Sequence, residues 1–108
     1  MYGVGSGMNN ANRPAKPHEG DGHMHQKAAY DLAIGFTLRA LHEERKIARE
    51  DVARALEIPE LAVTRIETGE ERMSAGDLVL LLELFDMTWE DFLGRMKANL
   101  PRAEREIS

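Results

Sequence analysis

Three polar side chains, Thr64, Arg65 and Thr68, share the outer face of a short helical stretch whose apolar members, Val63 and Ile66, point the other way. The chemistry open to such a face is hydrogen bonding rather than bond making. A guanidinium fork matches the two acceptors on the guanine edge, the commonest specific contact between a side chain and a base, and discriminates by roughly 1–3 kcal/mol. Glu60 and Leu61, one turn earlier, offer an acceptor for a cytosine amino group and an apolar contact for a thymine methyl. The same two residues are equally suited to meeting a protein. The neighbourhood is acidic: from Glu57 to Arg72, five glutamates stand against two arginines.

Little else in the chain offers chemistry. Cysteine is absent, which excludes disulfides, thiolate metal sites and a cysteine nucleophile. His18, His23 and His25 lie in an N-terminal stretch rich in glycine, where no outer shell of partners would hold a transition metal. His42 is the remaining histidine and has no nucleophile, metal cluster or phosphate-binding glycine loop beside it, so it reads as a polar residue on a helix. Neither an enzyme nor a metal or cofactor site is expected. The net charge of −5 argues mildly against non-specific nucleic-acid binding, because each neutralised phosphate needs a local cation. Net charge is an average, however, and an acidic protein can carry one basic face. No apolar run approaches the roughly 18 residues of a membrane span, and no basic-then-apolar signal opens the chain, so a cytoplasmic protein is expected.

These residues need elements to position them. Residues 1–27 contain little that could enter a core and are expected to be a disordered tail. From Ala28 the pattern turns helical, with Ile34, Leu38 and Leu41 at helical spacing and Asp31 a candidate N-cap, up to the polar run Glu43 to Lys46. A second helix from about Arg49 to Leu56 buries Val52, Ala53 and Leu56, with Ala48 where a capping hydroxyl would be usual. Pro59 opens a third, which Gly69 stops in a left-handed turn. Ser74 and Asp77 form a capping box before Leu78 to Phe85, where seven of eight residues are apolar. Such a helix is either central or partly covered by another subunit. Thr88 starts a fifth helix carrying Phe92, Leu93 and Met96, which Pro101 should end, leaving 99–108 frayed. The fold class is therefore all-α: five short helices over 28–98 around one core.

Two short helices across a tight turn have the lengths of a helix-turn-helix. Beyond the lengths, the stretch IAREDVARALEIPELAVTRIETGEERMS followed by LVLLLELFDMTWEDFL resembles the XRE family of phage-repressor-like proteins, over about Ile34 to Met96. Leu38-Arg39, Val52-Ala53, Leu56, the run Val63 to Gly69, and Met87-Thr88 with Phe92-Leu93 carry the likeness. The resemblance implies a compact five-helix domain that places the third helix in the major groove of double-stranded DNA. It implies a scaffold role for Glu67, and a backbone-contacting role for Arg49, which stands where the family usually has glutamine. Departures also fall on this face. Glu57 replaces the turn glycine, Pro59 and Glu60 replace polar or basic residues, and Glu70 and Glu71 occupy a loop that is commonly basic.

Arg49, Glu60, Leu61, Thr64, Arg65 and Thr68 are accordingly the candidate DNA-binding residues of a nucleoid-associated transcriptional regulator, a repressor-like homodimer on a palindromic operator. The dimer surface is expected on the C-terminal helices, from 78–85 with Trp89, Leu93 and Met96. The alternative is a protein-interaction module on the same scaffold, antitoxin-like, co-regulatory or adaptor, with the Leu61 face against a protein partner.

Overall fold

The computed structural model describes residues 20–107, with side chains from Gln26 onward. Five helices follow one another: α1 (Gly20–Glu44), α2 (Arg49–Leu56), α3 (Glu60–Glu67), α4 (Ala75–Phe85) and α5 (Trp89–Ile107). There is no strand among the described residues. The expected all-α, five-helix architecture is the one observed.

Why these residues form these helices is visible at their ends. Ser74 and Asp77 make both halves of the capping box: the Asp77 amide donates to Ser74 Oγ at 3.0 Å, and the Ser74 amide to Asp77 Oδ2 at 3.2 Å. At the start of α5 the Asp91 amide donates to Thr88 Oγ1. Ala48 gives α2 no side-chain cap, and that end relies on Glu50 and Asp51 near the positive pole of the helix. Gly69, at φ 80°, supplies the left-handed turn that ends the α3 segment.

Two boundaries differ from the sequence expectation. α1 starts at Gly20, ahead of Ala28, so residues 20–27 are helical; the expectation of a disordered tail otherwise falls outside the described residues, as does His18. Pro101 does not end α5, which continues to Ile107. A proline inside a helix costs roughly 3 kcal/mol through the lost N–H bond and the ring clash. Here Pro101 faces solvent, and continuing the helix buries Ala103 completely against Ala29 and Ala33 of α1, with Leu100 and Ile107 packed alongside. The frayed end is thus replaced by an α1–α5 pair, linked further by Asn99, whose Nδ2 donates to the buried Thr37 hydroxyl at 3.0 Å.

The main core is built from Leu38, Leu41, Val52, Leu56, Val63, Ile66, Leu81, Phe85 and Phe92, which draws on all five helices. α4 is therefore central for the most part: Leu81 and Phe85 are buried and Leu78, Leu80, Leu82 and Leu84 half-buried. Val79 alone among its large apolar residues is exposed.

Candidate nucleic-acid interface

α2 and α3 are joined by Glu57, Ile58 and Pro59. Glu57 takes the left-handed conformation, φ 61° and ψ 40°, that the missing glycine would have supplied, at a cost of about 1 kcal/mol. The turn survives because the amides of Glu57 and Ile58 donate to the carbonyls of Arg54 and Ala53, closing the end of α2. Pro59 then presets φ −66° at the N-cap of α3.

The two faces of α3 are sharply different. Ala62, Val63, Ile66 and Glu67 are buried, while Glu60, Leu61, Thr64 and Arg65 are exposed, as is Thr68 just past the last turn. Five of the six candidate residues are therefore brought onto one outward surface. Leu61 is 58% exposed. Arg65 makes no ion pair or side-chain hydrogen bond among the described residues, so its guanidinium is available to a ligand. Thr68 Oγ1 donates to the Arg65 carbonyl, which ties this hydroxyl to its own helix end.

Arg49 is placed differently. It opens α2 and directs both Nε and Nη2 at Glu67 Oε1, at 2.9 and 2.8 Å. The other carboxylate oxygen of Glu67 lies 2.6 Å from His42 Nε2, and His42 Nδ1 faces the Ile47 carbonyl at 3.1 Å. Both ring nitrogens of His42 thus face oxygen atoms, which fixes the orientation of the imidazole between Glu67 and the Ile47 carbonyl. His42 and Glu67 are each 6% exposed. A buried carboxylate is tolerable only when paired and hydrogen-bonded, and here both oxygens are engaged. The hydrogen bond to Glu67 raises the pKa of Arg49, outweighing the opposing effect of burial, with the charges of Glu67, Glu43 and Glu60 adding to it. Arg49 is consequently charged at every pH below the ordinary arginine range, and its share of stability fades only above it.

This trio draws one residue from each of α1, α2 and α3 and sets the angle at which α3 is presented. His42 is thus more than a polar helix residue. It continues the fourfold spacing of Ile34 and Leu38, a signal that it shares their inward stripe. A second residue hidden in the sequence is Gly35. A Cβ there would lie 2.3 Å from the Ile66 carbonyl oxygen and 2.7 Å from that of Glu67, so only glycine lets α1 approach the end of α3 this closely. Its signal was its presence within a helix, where glycine costs about 1 kcal/mol unless close packing requires it.

The geometry, two short helices across a three-residue turn with the second exposing a polar face, defines a helix-turn-helix protein. The family model described as a helix-turn-helix domain matches residues 33–92, more than half of the chain, and the protein belongs to that family. Membership points to a DNA-binding regulator, in a family that is typically non-enzymatic. No curated protein matches the chain closely enough to lend it a more particular activity. Among the described residues no acidic, histidine or cysteine cluster is arranged to hold a metal ion, and no helix is long and apolar enough to cross a membrane.

Proposed function

We propose that the protein is a sequence-specific regulator of transcription of the XRE, phage-repressor-like type, occupying a short palindromic operator in double-stranded DNA and acting by occupancy, as a repressor does. The observation that carries this reading is Arg65: exposed, without a side-chain partner among the described residues, on the outer face of a helix whose inner face is locked to the scaffold. Arg65 reads a guanine, Thr64 and Leu61 flank it, and Glu60 tolerates a cytosine beneath it. Arg49 contributes to backbone positioning with the donors that remain after Glu67 has taken two of its five N–H groups.

Burial changes the expected dimer. Met96, Leu81 and Phe85 belong to the core of one chain, and Leu93 is half-buried. Of the apolar residues expected to pair two copies, only Val79 and Trp89 stay exposed, and the others are buried or half-buried within one chain. Two copies come together on the operator, where paired half-sites raise their effective concentration, rather than through a large interface in solution. The test is binding to duplex DNA across a salt series. Affinity that falls steeply with salt supports the reading, and no binding even near about 50 mM salt overturns it.

One observation favours a protein-interaction module instead, namely Leu61, 58% exposed between Glu57, Glu60 and Thr64. In that case Leu61→Ala would abolish association with a protein while the chain ignores duplex DNA.

A further inference from the structure

The largest acidic excess of this chain lies at the α4–α5 end. Between Met73 and Gly94 stand five carboxylates, Asp77, Glu83, Asp86, Glu90 and Asp91, and no lysine, arginine or histidine; elsewhere fourteen acids balance fourteen bases. Asp77 is occupied in the capping box of α4. Glu83, Asp86, Glu90 and Asp91 are exposed and form no ion pair among the described residues.

The same region carries the apolar surface that the core leaves over. Val79 is 55% and Trp89 48% exposed. A shallow groove at the α4–α5 junction has Val79, Leu82 and Met87 as its apolar lining and Glu83, Asp86 and Asp91 as its acidic rim. It adjoins a second depression that shares Asp86, Met87 and Asp91 and extends past Glu90 toward Ala98, with Arg45 and Arg95 at its edge. Both arginines are engaged within the chain, Arg45 on the Phe85 carbonyl and Arg95 with Glu44.

We propose that the α4–α5 end is a docking surface for a basic amphipathic segment of another protein, with apolar side chains against Val79, Met87 and Trp89 and lysines or arginines over the four unpaired carboxylates. A polyanion is excluded by charge. A second copy is disfavoured in both arrangements. A twofold contact would set this acidic patch against itself, and a head-to-tail contact would need a free basic face. Five of the ten arginines are already committed to acids of the same chain: Arg39 to Glu43, Arg49 to Glu67, Arg54 to Asp51, Arg72 to Asp31 and Arg95 to Glu44. A cationic, apolar partner satisfies both halves of the surface, since opposite charge speeds and orients encounter while apolar burial holds the complex. The surface contains none of the residues assigned to DNA, so its occupation does not depend on the DNA-binding reading.

Trp89, the only tryptophan, is half-exposed beside Thr88 of the groove lining and serves as the intrinsic probe. The probe is a synthetic helical peptide with leucines on one face and lysines on the other, titrated into the full chain while Trp89 emission is followed. Two controls accompany it: a scrambled peptide of equal charge and the same helix with glutamate for lysine. The amphipathic cationic peptide should shift the emission to the blue and bind at least tenfold tighter than the scrambled one. Replacing the four carboxylates together (Glu83→Gln, Asp86→Asn, Glu90→Gln, Asp91→Asn) should weaken it about tenfold, as expected of four exposed ion pairs at the lower end of their usual worth. Val79→Ser, an exposed position whose replacement leaves the core intact, should weaken it as well. The proposal fails if the scrambled peptide binds equally, if either variant binds like the parent, or if Trp89 emission does not move. It also fails if the chain self-associates and Val79→Ser abolishes that association, since the occupant is then a second copy.

Discussion

Two acidic regions of this molecule look alike in composition and behave differently. Around α3, the central carboxylate, Glu67, is buried and its two oxygens are held by His42 and Arg49. At the α4–α5 end, Glu83, Asp86, Glu90 and Asp91 are exposed, without an ion-pair partner among the described residues. The first acid is a structural tie whose charge is cancelled where it stands. The others are surface, and their field reaches whatever approaches. A count of charges in the sequence therefore overstates the acidity of the face that α3 presents and locates the real excess elsewhere. What remains near α3 is Glu57, Glu60, Glu70 and Glu71, at the two ends of the helix rather than along its centre.

The largest effect should come from Gly35→Ala. Its Cβ meets backbone carbonyls that cannot rotate away, so α1 and α3 must part, and a loss of about 3 kcal/mol is expected in denaturant unfolding. Glu67→Ala should cost about the same, because it strands the buried imidazole of His42. Glu83→Ala, which removes an equal charge from the other region, should stay within about 0.5 kcal/mol. Equal losses for the two glutamates would break the comparison.

Next comes Arg65→Ala, which should flatten discrimination at one base pair by about 1–3 kcal/mol while leaving stability unchanged. Arg49→Ala should instead weaken binding to all sequences, flatten the salt slope and lower the melting temperature, since it also releases Glu67. Smaller still is the double change Glu70→Gln with Glu71→Gln, expected to tighten duplex binding roughly fivefold at low salt. Neutralising Glu83 and Asp86 should leave it unaltered. The smallest effect is Glu57→Gly, which relieves the left-handed backbone and should stabilise by up to about 1 kcal/mol, read as a shift in the unfolding midpoint.

Much of the fold was legible in the sequence because its signals are local. The capping residues Ser74, Asp77 and Thr88, the stop at Gly69 and the start at Pro59 act on their own helix ends, and each stands where the spacing put it. The outer face of α3 followed from helical spacing in the same way. What was not legible depends on contacts between distant segments. Pro101 reads as a terminator until α1 offers Ala29 and Ala33 for Ala103 to bury against. His42 and Gly35 gain their meaning only from α3, packed across them. Arg49 read as a contact to the DNA backbone alone, because its partner Glu67 lies eighteen residues away in sequence. The surplus of apolar residues in α4 likewise found its use in the core of the same chain.

The central claim is that the outer face of α3 reads bases through Arg65 while Glu67 holds the helix in place. Selection of bound sequences from a random duplex pool, run in parallel for the parent chain and Arg65→Ala, tests it most directly. The account predicts an enriched palindrome for the parent and the same motif with one symmetric guanine position relaxed for the variant. A pool that stays random for a folded parent chain, or identical motifs for both proteins, would contradict it.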